Sequence, residues 1–232
     1  MTAIASAFTS EGFVIGADGR QLDRDNKIFS ESSQKIFNFK SRQVDVVYAW
    51  CGETSVINQS KEVLYDLYAI TRTALSSAIQ MARRQFPPFI QQCCAGIYEG
   101  IIKSPNVRQI TNSDSLAGSK ARMLLNGYFY GQPLMAEFHV RETDRIRVHA
   151  ENVSMPLPSP TRYLFNGCAR QNEKYKNILP TTTREALKLI SDYIQDCIDN
   201  SDPDCFSIGG HRHIAHLTPD GFYWIDAPKS ST

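Results

Sequence analysis

No stretch of the 232 residues approaches the roughly 18 consecutive apolar residues that a membrane span requires. The first residues carry neither the basic region nor the apolar block of a secretory signal. A net charge of +1 removes the electrostatic footprint of a nucleic-acid-binding protein. No Gly-x-x-x-x-Gly-Lys-[Ser/Thr] loop is present to cradle nucleotide phosphates, so any ATP-driven step has to come from a partner. None of the six cysteines (Cys51, Cys93, Cys94, Cys168, Cys197 and Cys205) stands in a Cys-x-x-Cys pair. That excludes a metal knuckle, speaks against a disulfide framework and predicts reduced thiols in a cytoplasm. Linkers, repeats and low-complexity tracts are also missing, so residues 1–232 read as a single domain.

What remains is ordinary globular material, 42% hydrophobic and 21% charged. The β-pattern starts at once, in "TAIASAFT", and resumes in "FVIGAD" after "SEG". A three-residue loop closed by Gly12 predicts a register in which Thr2, Ile4, Asp18 and Arg20 share one face of the sheet. "QKIFNF" and "VDVVYAW" are two further strands. From Glu53 the apolar spacing becomes helical through Ile79, and "FPP" at Phe86–Pro88 is expected to end that helix. Phe89, Ile90, Cys93, Cys94, Ile97 and Ile101 mark a second helix. A polar loop near residues 104–119 leads into four β-patterns, "ARMLLNGYFYG", "PLMAEFHVRE", "RIRVHAENV" and "TRYLFNG". Thr182-x-x-Glu185 is a capping box opening a third helix, and a hairpin turning at Pro219-Asp220-Gly221 finishes the chain. Two blocks of strands with helices between them predict an α+β protein: two antiparallel sheets sandwiched between helical layers in αββα order.

A free N-terminal threonine is a self-sufficient catalyst. Its hydroxyl is the nucleophile, and its own α-amine, with an ordinary pKa of about 7.7–8.0, is the base. Met1-Thr2 supplies one once Met1 is removed, since the small second residue suits an aminopeptidase. Taken alone, Thr2 reads as an ordinary strand residue. The balance changes with its company. Lys35 sits among apolar neighbours, where an unpaired ammonium is costly, and Asp18 at a strand end is its natural partner. A nearby ammonium disfavours protonation of the threonine amine. Gly52 is placed at a strand-to-helix junction, whose free N–H groups can hold an oxyanion.

Thr2, the "GADGR" of Asp18 and Arg20, Lys35 in "QKIF" and Gly52 in "AWCGE" together resemble the proteasome β-subunit family of N-terminal nucleophile hydrolases, which includes the bacterial HslV-type peptidases. The resemblance also matches Asp204 and Ser207 ahead of Gly209-Gly210 in "DCFSIGG". It departs from the family in an Asp18-to-Lys35 spacing one residue longer than the usual pattern and in Gly167-Cys168-Ala169, where many members carry Gly-Ser-Gly. The resemblance implies the four-layer αββα fold and a threonine endopeptidase cleaving peptide bonds through an acyl-enzyme ester. It implies catalytic roles for Thr2, Asp18, Lys35, Gly52, Asp204 and Ser207, a substrate pocket involving Arg20 and Trp50, and no cofactor or metal. The substrates are peptides or unfolded proteins. The expected assembly is a homo-oligomeric ring or ring stack, with neither nucleic acid nor membrane as partner; whether an ATPase unfoldase feeds it is left open by the sequence. A non-catalytic ring scaffold and a small-amide hydrolase are the competing readings.

Other candidates weigh less. Cys51, beside Gly52, reads as a buried small hydrophobe rather than a thiol nucleophile, because no histidine is marked as its base. In "HRHIAH", His211 and His213 share strand parity, but His216 breaks it; a polar strand face is the plainer reading than a metal pair. "DRDNK" at 23–27 reads as a solvated loop. Trp50 serves equally as core packing.

Overall fold

Alternating small and branched residues let β1 (Ile4–Thr9) and β2 (Gly12–Ala17) bury every side chain on both faces of a sheet. A computed structural model describes residues 2–23, 27–52, 54–57, 63–82, 84–104, 118–142, 146–157, 160–165 and 169–229. These fall into two compact units, residues 1–38 with 156–232, and residues 39–155.

In the first unit an antiparallel sheet runs β12-β1-β2-β13-β14, where β12 is Thr161–Phe165, β13 His213–Thr218 and β14 Gly221–Asp226. Ala3, Ala5 and Ala7 present a flat surface to the long helix Thr183–Ile198, which buries Ala186, Leu189, Ile190, Tyr193 and Ile194 on it. Each fully buried aliphatic side chain there is worth about 1.5–3 kcal/mol. The approach is close: a Cβ on Gly16 would stand 2.4 Å from Ile190 Cγ2. The capping box forms as expected, Thr182 Oγ1 accepting from the Glu185 N–H and Glu185 reaching back to the Thr182 N–H. A short helix, Ala169–Tyr175, was not anticipated. A two-stranded ribbon, β3 (Gln21–Leu22) and β4 (Ile28–Ser30), completes the unit.

The second unit holds a sheet in the order β11-β10-β9-β6-β5. Its strands are β5 (Ile36–Lys40, along which the chain passes from one unit to the other), β6 (Val44–Gly52), β9 (Gly118–Phe129), β10 (Gln132–Glu142) and β11 (Ile146–Ser154). Helices α1 (Leu67–Met81) and α2 (Phe86–Lys103) pack so tightly that a Cβ on Gly96 would lie 2.8 Å from Ala74 Cβ. With these two as α1 and α2, the first unit's helices are α3 (Ala169–Tyr175) and α4 (Thr183–Ile198).

Several expectations are corrected. The first hairpin turns over two residues, Ser10 and Glu11, so Ile4 pairs with Ala17 and not with Asp18. Apolar residues between Ser55 and Asp66 fit a helical period but form a ribbon, β7 (Ser55–Ile57) with β8 (Val63–Asp66). Helix α1 therefore starts at Leu67, capped by Asp66, whose carboxylate accepts from the Tyr68 and Ala69 N–H groups. "FPP" opens α2 instead of closing α1, because proline is favoured in a first turn where its missing N–H has no partner to lose. Cys205 is disulfide-bonded, against the expectation of reduced thiols throughout. Cys51, Cys93, Cys94 and Cys197 are reduced thiols. Spacing tests only local motifs, whereas a disulfide depends on which Cβ atoms folding brings face to face. Among the described residues no helix is long and apolar enough to cross a membrane.

Candidate functional site

The amino end of β1 and the residue just past β2 meet at one edge of the first unit's sheet. Asp18 follows Ala17, the last residue of β2, and is fully buried. Its backbone continues the hairpin by one step, the Asp18 N–H donating to the Ala3 carbonyl (3.1 Å). Its carboxylate turns back along that edge. Oδ1 accepts from the Ala3 N–H (2.9 Å), and Oδ2 accepts from the Gly209 N–H (3.1 Å) and the Arg20 N–H (3.3 Å). Lys35, immediately before β5 and not within a strand, completes the shell. Its Nζ donates to both carboxylate oxygens at 3.0 Å.

The same ammonium lies 3.3 Å from Thr2 Oγ1. Thr2 is 8% exposed and Lys35 7%. In a two-residue hairpin, strand parity sends the side chains of Thr2 and Asp18 to opposite faces, yet both reach Lys35. The reason is that Asp18 lies beyond the ladder. Its carboxylate curls onto backbone N–H groups at the strand edge, and the long lysine spans the gap. A buried carboxylate with an ammonium and three backbone donors is a satisfied charge, and a rigid one.

Arg20 does not stand free for a ligand. Nε and Nη2 donate to the two oxygens of Glu31 (3.1 and 2.9 Å), Nη1 donates to the Phe206 carbonyl (2.8 Å), and the guanidinium lies 5.6 Å from the Phe206 ring centre. This clamp ties the segment after β2 to the turn carrying Ser207 and Gly209. The Gly209 carbonyl also accepts from the Gly19 and Arg20 N–H groups (3.1 and 2.8 Å). A Cβ at 209 would stand 2.3 Å from Arg20 Cζ, so any larger residue there has to displace the clamp. Sequence reasoning missed Glu31 and the Gly209 N–H; the former sits in a polar loop, and the latter carries no side chain to signal it.

Asp204 lies in a 3-10 turn, Pro203–Cys205, and Ser207 is half-buried just after it. The side chain of Asp204 and all of Cys168 fall outside the described residues. His213 opens β13 opposite Ala17 and is fully buried, not part of an exposed polar face. Burial, reinforced by the neighbouring His211 and Lys35, pushes its pKa down to about 4. His211 instead meets Asp226 Oδ1 (2.9 Å).

In the second unit Gly52 ends β6 with φ +95°, a conformation that favours glycine. The β7–β8 ribbon separates it from α1, so it is not at the strand-to-helix junction expected of it. Trp50 is fully buried and donates from Nε1 to Thr71 Oγ1 (2.9 Å) on α1, the surroundings of a core residue. Cys51 is likewise buried.

No family model and no curated protein matches the sequence. Solved structures do match. One is Anbu from Hyphomicrobium sp. strain MC1, a Gly-1 mutant, at TM-score 0.58 and 12% identity, covering 98% of this chain and 89% of that one. A second is Anbu from Yersinia bercovieri, described as the ancestral beta-subunit, at TM-score 0.57 and 14% identity, covering 98% and 88%. The chain shares the Anbu fold. The helical assembly of the Anbu complex from Pseudomonas aeruginosa agrees, at TM-score 0.58 and 14% identity, covering 99% and 88%. The α+β class with antiparallel sheets is therefore that of an N-terminal nucleophile-type fold. The resemblance to the proteasome β-subunit-like family, bacterial proteasome-type or HslV-like, is corrected: the solved structures that this chain is similar to are Anbu. The few short motifs that carried the assignment are too brief to separate branches sharing one fold.

Proposed function

We propose that the chain is an N-terminal nucleophile hydrolase acting on peptide bonds, with Thr2 as nucleophile after removal of Met1. The observation carrying this reading is the buried Thr2–Lys35–Asp18 arrangement, in which one ammonium contacts both the threonine hydroxyl and a carboxylate held by backbone N–H groups. The freed Thr2 α-amine takes the hydroxyl proton as Oγ1 attacks the scissile carbonyl carbon. Collapse of the tetrahedral intermediate breaks the C–N bond; the proton passes to the leaving amine, and an ester on Thr2 remains. Water, deprotonated by the same amine, then attacks the ester carbon and releases the acid, restoring the hydroxyl. The Lys35 charge favours the neutral amine and the developing alkoxide. Asp18 fixes Lys35, and the Arg20 clamp on Glu31 and Phe206 fixes the segment after Asp18 and the turn that carries Gly209. By the sequence resemblance, Asp204 and Ser207 support the amine.

The Anbu fold is consistent with this chemistry, and the helical assembly described for the Pseudomonas aeruginosa protein is consistent with a homo-oligomer here. Peptides or unfolded chains are the proposed substrates, delivered by a separate ATPase where folded proteins are degraded.

The test is the intact mass of the full-length protein after treatment with a threonine-directed epoxyketone. The expected result is loss of Met1 and one adduct, absent from Thr2→Ala. A protein that lacks Met1 yet forms no adduct, or that forms it equally in Thr2→Ala, overturns the proposal and leaves the scaffold reading.

A further inference from the structure

A second cluster of chemistry-bearing side chains lies in the other compact unit, on the β10–β11 hairpin. Three successive same-face pairings set like against like: Glu137 opposite Glu151, His139 opposite His149, and Arg141 opposite Arg147. Like charges facing each other across a ladder are destabilising. The carboxylates and imidazoles nevertheless converge. His139 Nε2 lies 2.8 Å from Glu137 Oε1 and 3.5 Å from Glu151 Oε2, and His149 Nε2 lies 2.8 Å from Glu151 Oε1. One donor atom from each of His139, His149 and Glu151 lies within 4.8 Å of the others.

His139 is the decisive member. It is 3% exposed, and neither ring nitrogen makes a hydrogen bond among the described residues. Its 2.8 Å approach to Glu137 lacks hydrogen-bond geometry, so Nε2 is not spent on a hydrogen bond to that carboxylate. A buried imidazole set against two carboxylates without a hydrogen bond to either is costly, and a cation in that space satisfies all of them at once.

We propose that this cluster binds one divalent first-row transition-metal ion of the zinc class, through His139, His149 and Glu151, with Glu137 placed to add a fourth ligand. Imidazole with carboxylate, and no thiolate, is the donor set of such ions. With metal–ligand bonds of about 2.0–2.2 Å, two donors on one ion stand about 3–3.6 Å apart, so the donors here, within 4.8 Å of one another, close by about an ångström to hold one. The outer contacts needed to orient the ligands are in place. Asn152 donates to Glu137 Oε2 (2.9 Å), and Arg141 Nη2 donates to Glu151 Oε1 (3.0 Å). Asn152 holds φ +49° beside a register shift in the β10–β11 ladder, a local distortion that aims its amide at Glu137. An entry path exists as well: a groove walled by Cys94 and Tyr98 of α2 opens onto Arg147 and His149. The ion would pin β10 to β11 and neutralise the facing carboxylates.

The test is calorimetric titration of the tag-free, chelator-treated full chain with zinc chloride, alongside Co2+ absorption. The expected result is one equivalent per chain and ligand-field bands of bound Co2+. His149→Ala and Glu151→Gln alter half-exposed side chains and are expected to fold normally by circular dichroism. Each should weaken binding at least about ten-fold, the smaller loss seen even for outer-shell partners. His216→Ala should leave binding unchanged. Absence of a one-equivalent site, binding indifferent to both substitutions, or equal loss in His216→Ala overturns the proposal. Because readout is metal binding and not peptidase activity, failure here leaves the Thr2 reading untouched.

Discussion

The Asp18–Lys35 pair allows the sharpest test of how the Thr2 edge is built. Its side chains are 0% and 8% exposed, with both oxygens 3.0 Å from the ammonium. Their attraction at an effective dielectric of about 20 is roughly 5 kcal/mol, opposed by the desolvation of both charges. Lys35→Met strands the carboxylate, but three backbone N–H donors remain on it, so a loss of about 3 kcal/mol is expected, the low end for a broken buried pair. Asp18→Asn is worse, at about 4–5 kcal/mol. It leaves the ammonium with neutral acceptors only, the remaining amide oxygen and the Thr2 hydroxyl, and its amide NH2 confronts backbone N–H groups that lose their acceptor. In Asp18→Asn/Lys35→Met the stranded ammonium is gone. The double variant should therefore be less damaged than the sum of the singles by about 1–3 kcal/mol. Urea unfolding at pH 7, followed by circular dichroism, measures all four proteins. Additivity within about 0.5 kcal/mol would refute the claim that the two groups act as one charge-compensated unit.

Three further outcomes are expected. His213 titrates near 4 in the folded protein against about 6.5 when unfolded, so below pH 6.5 the unfolded chain binds the extra proton; stability is full above that pH and falls by about 3 kcal/mol as pH drops toward 4. His213→Phe should flatten the pH dependence of the urea midpoint relative to wild type, and equal slopes would rule His213 out. Gly16→Ala drives a methyl to 2.4 Å from Ile190 Cγ2 and 2.9 Å from Ile214 Cδ1, for an expected loss of about 1–3 kcal/mol in the same unfolding assay. Thr182→Ala removes the hydroxyl that caps α4 and should cost about 1 kcal/mol; an unchanged midpoint would mean that Glu185 holds the helix end unaided.

Short-range features were legible because their causes are local. Thr182 and Glu185 are close enough in sequence to announce their own capping box, and the strands after residue 118 announce themselves by alternating or continuous apolar runs. The Asp18–Lys35 contact was also readable, since a lysine among apolar neighbours demands a counter-ion and Asp18 stands at the end of a strand. The ribbon β7–β8 was not, because four apolar residues fit a helical period as well as a strand until pairing decides. The first hairpin shows the same weakness, as one residue of loop length reverses every face assignment.

The sequence by itself thus determined the α+β class, the place of Thr2 just ahead of the first strand, and the need for a partner to Lys35. Only the tertiary structure decided how Asp18 is held, since Gly209 joins it from 191 residues away through a backbone N–H that any residue but proline possesses. Only the tertiary structure joined Arg20 to Glu31, or set His139 against His149, because those meetings depend on register and loop path. Periodicity encodes which face is buried; it does not encode which distant atoms share that burial.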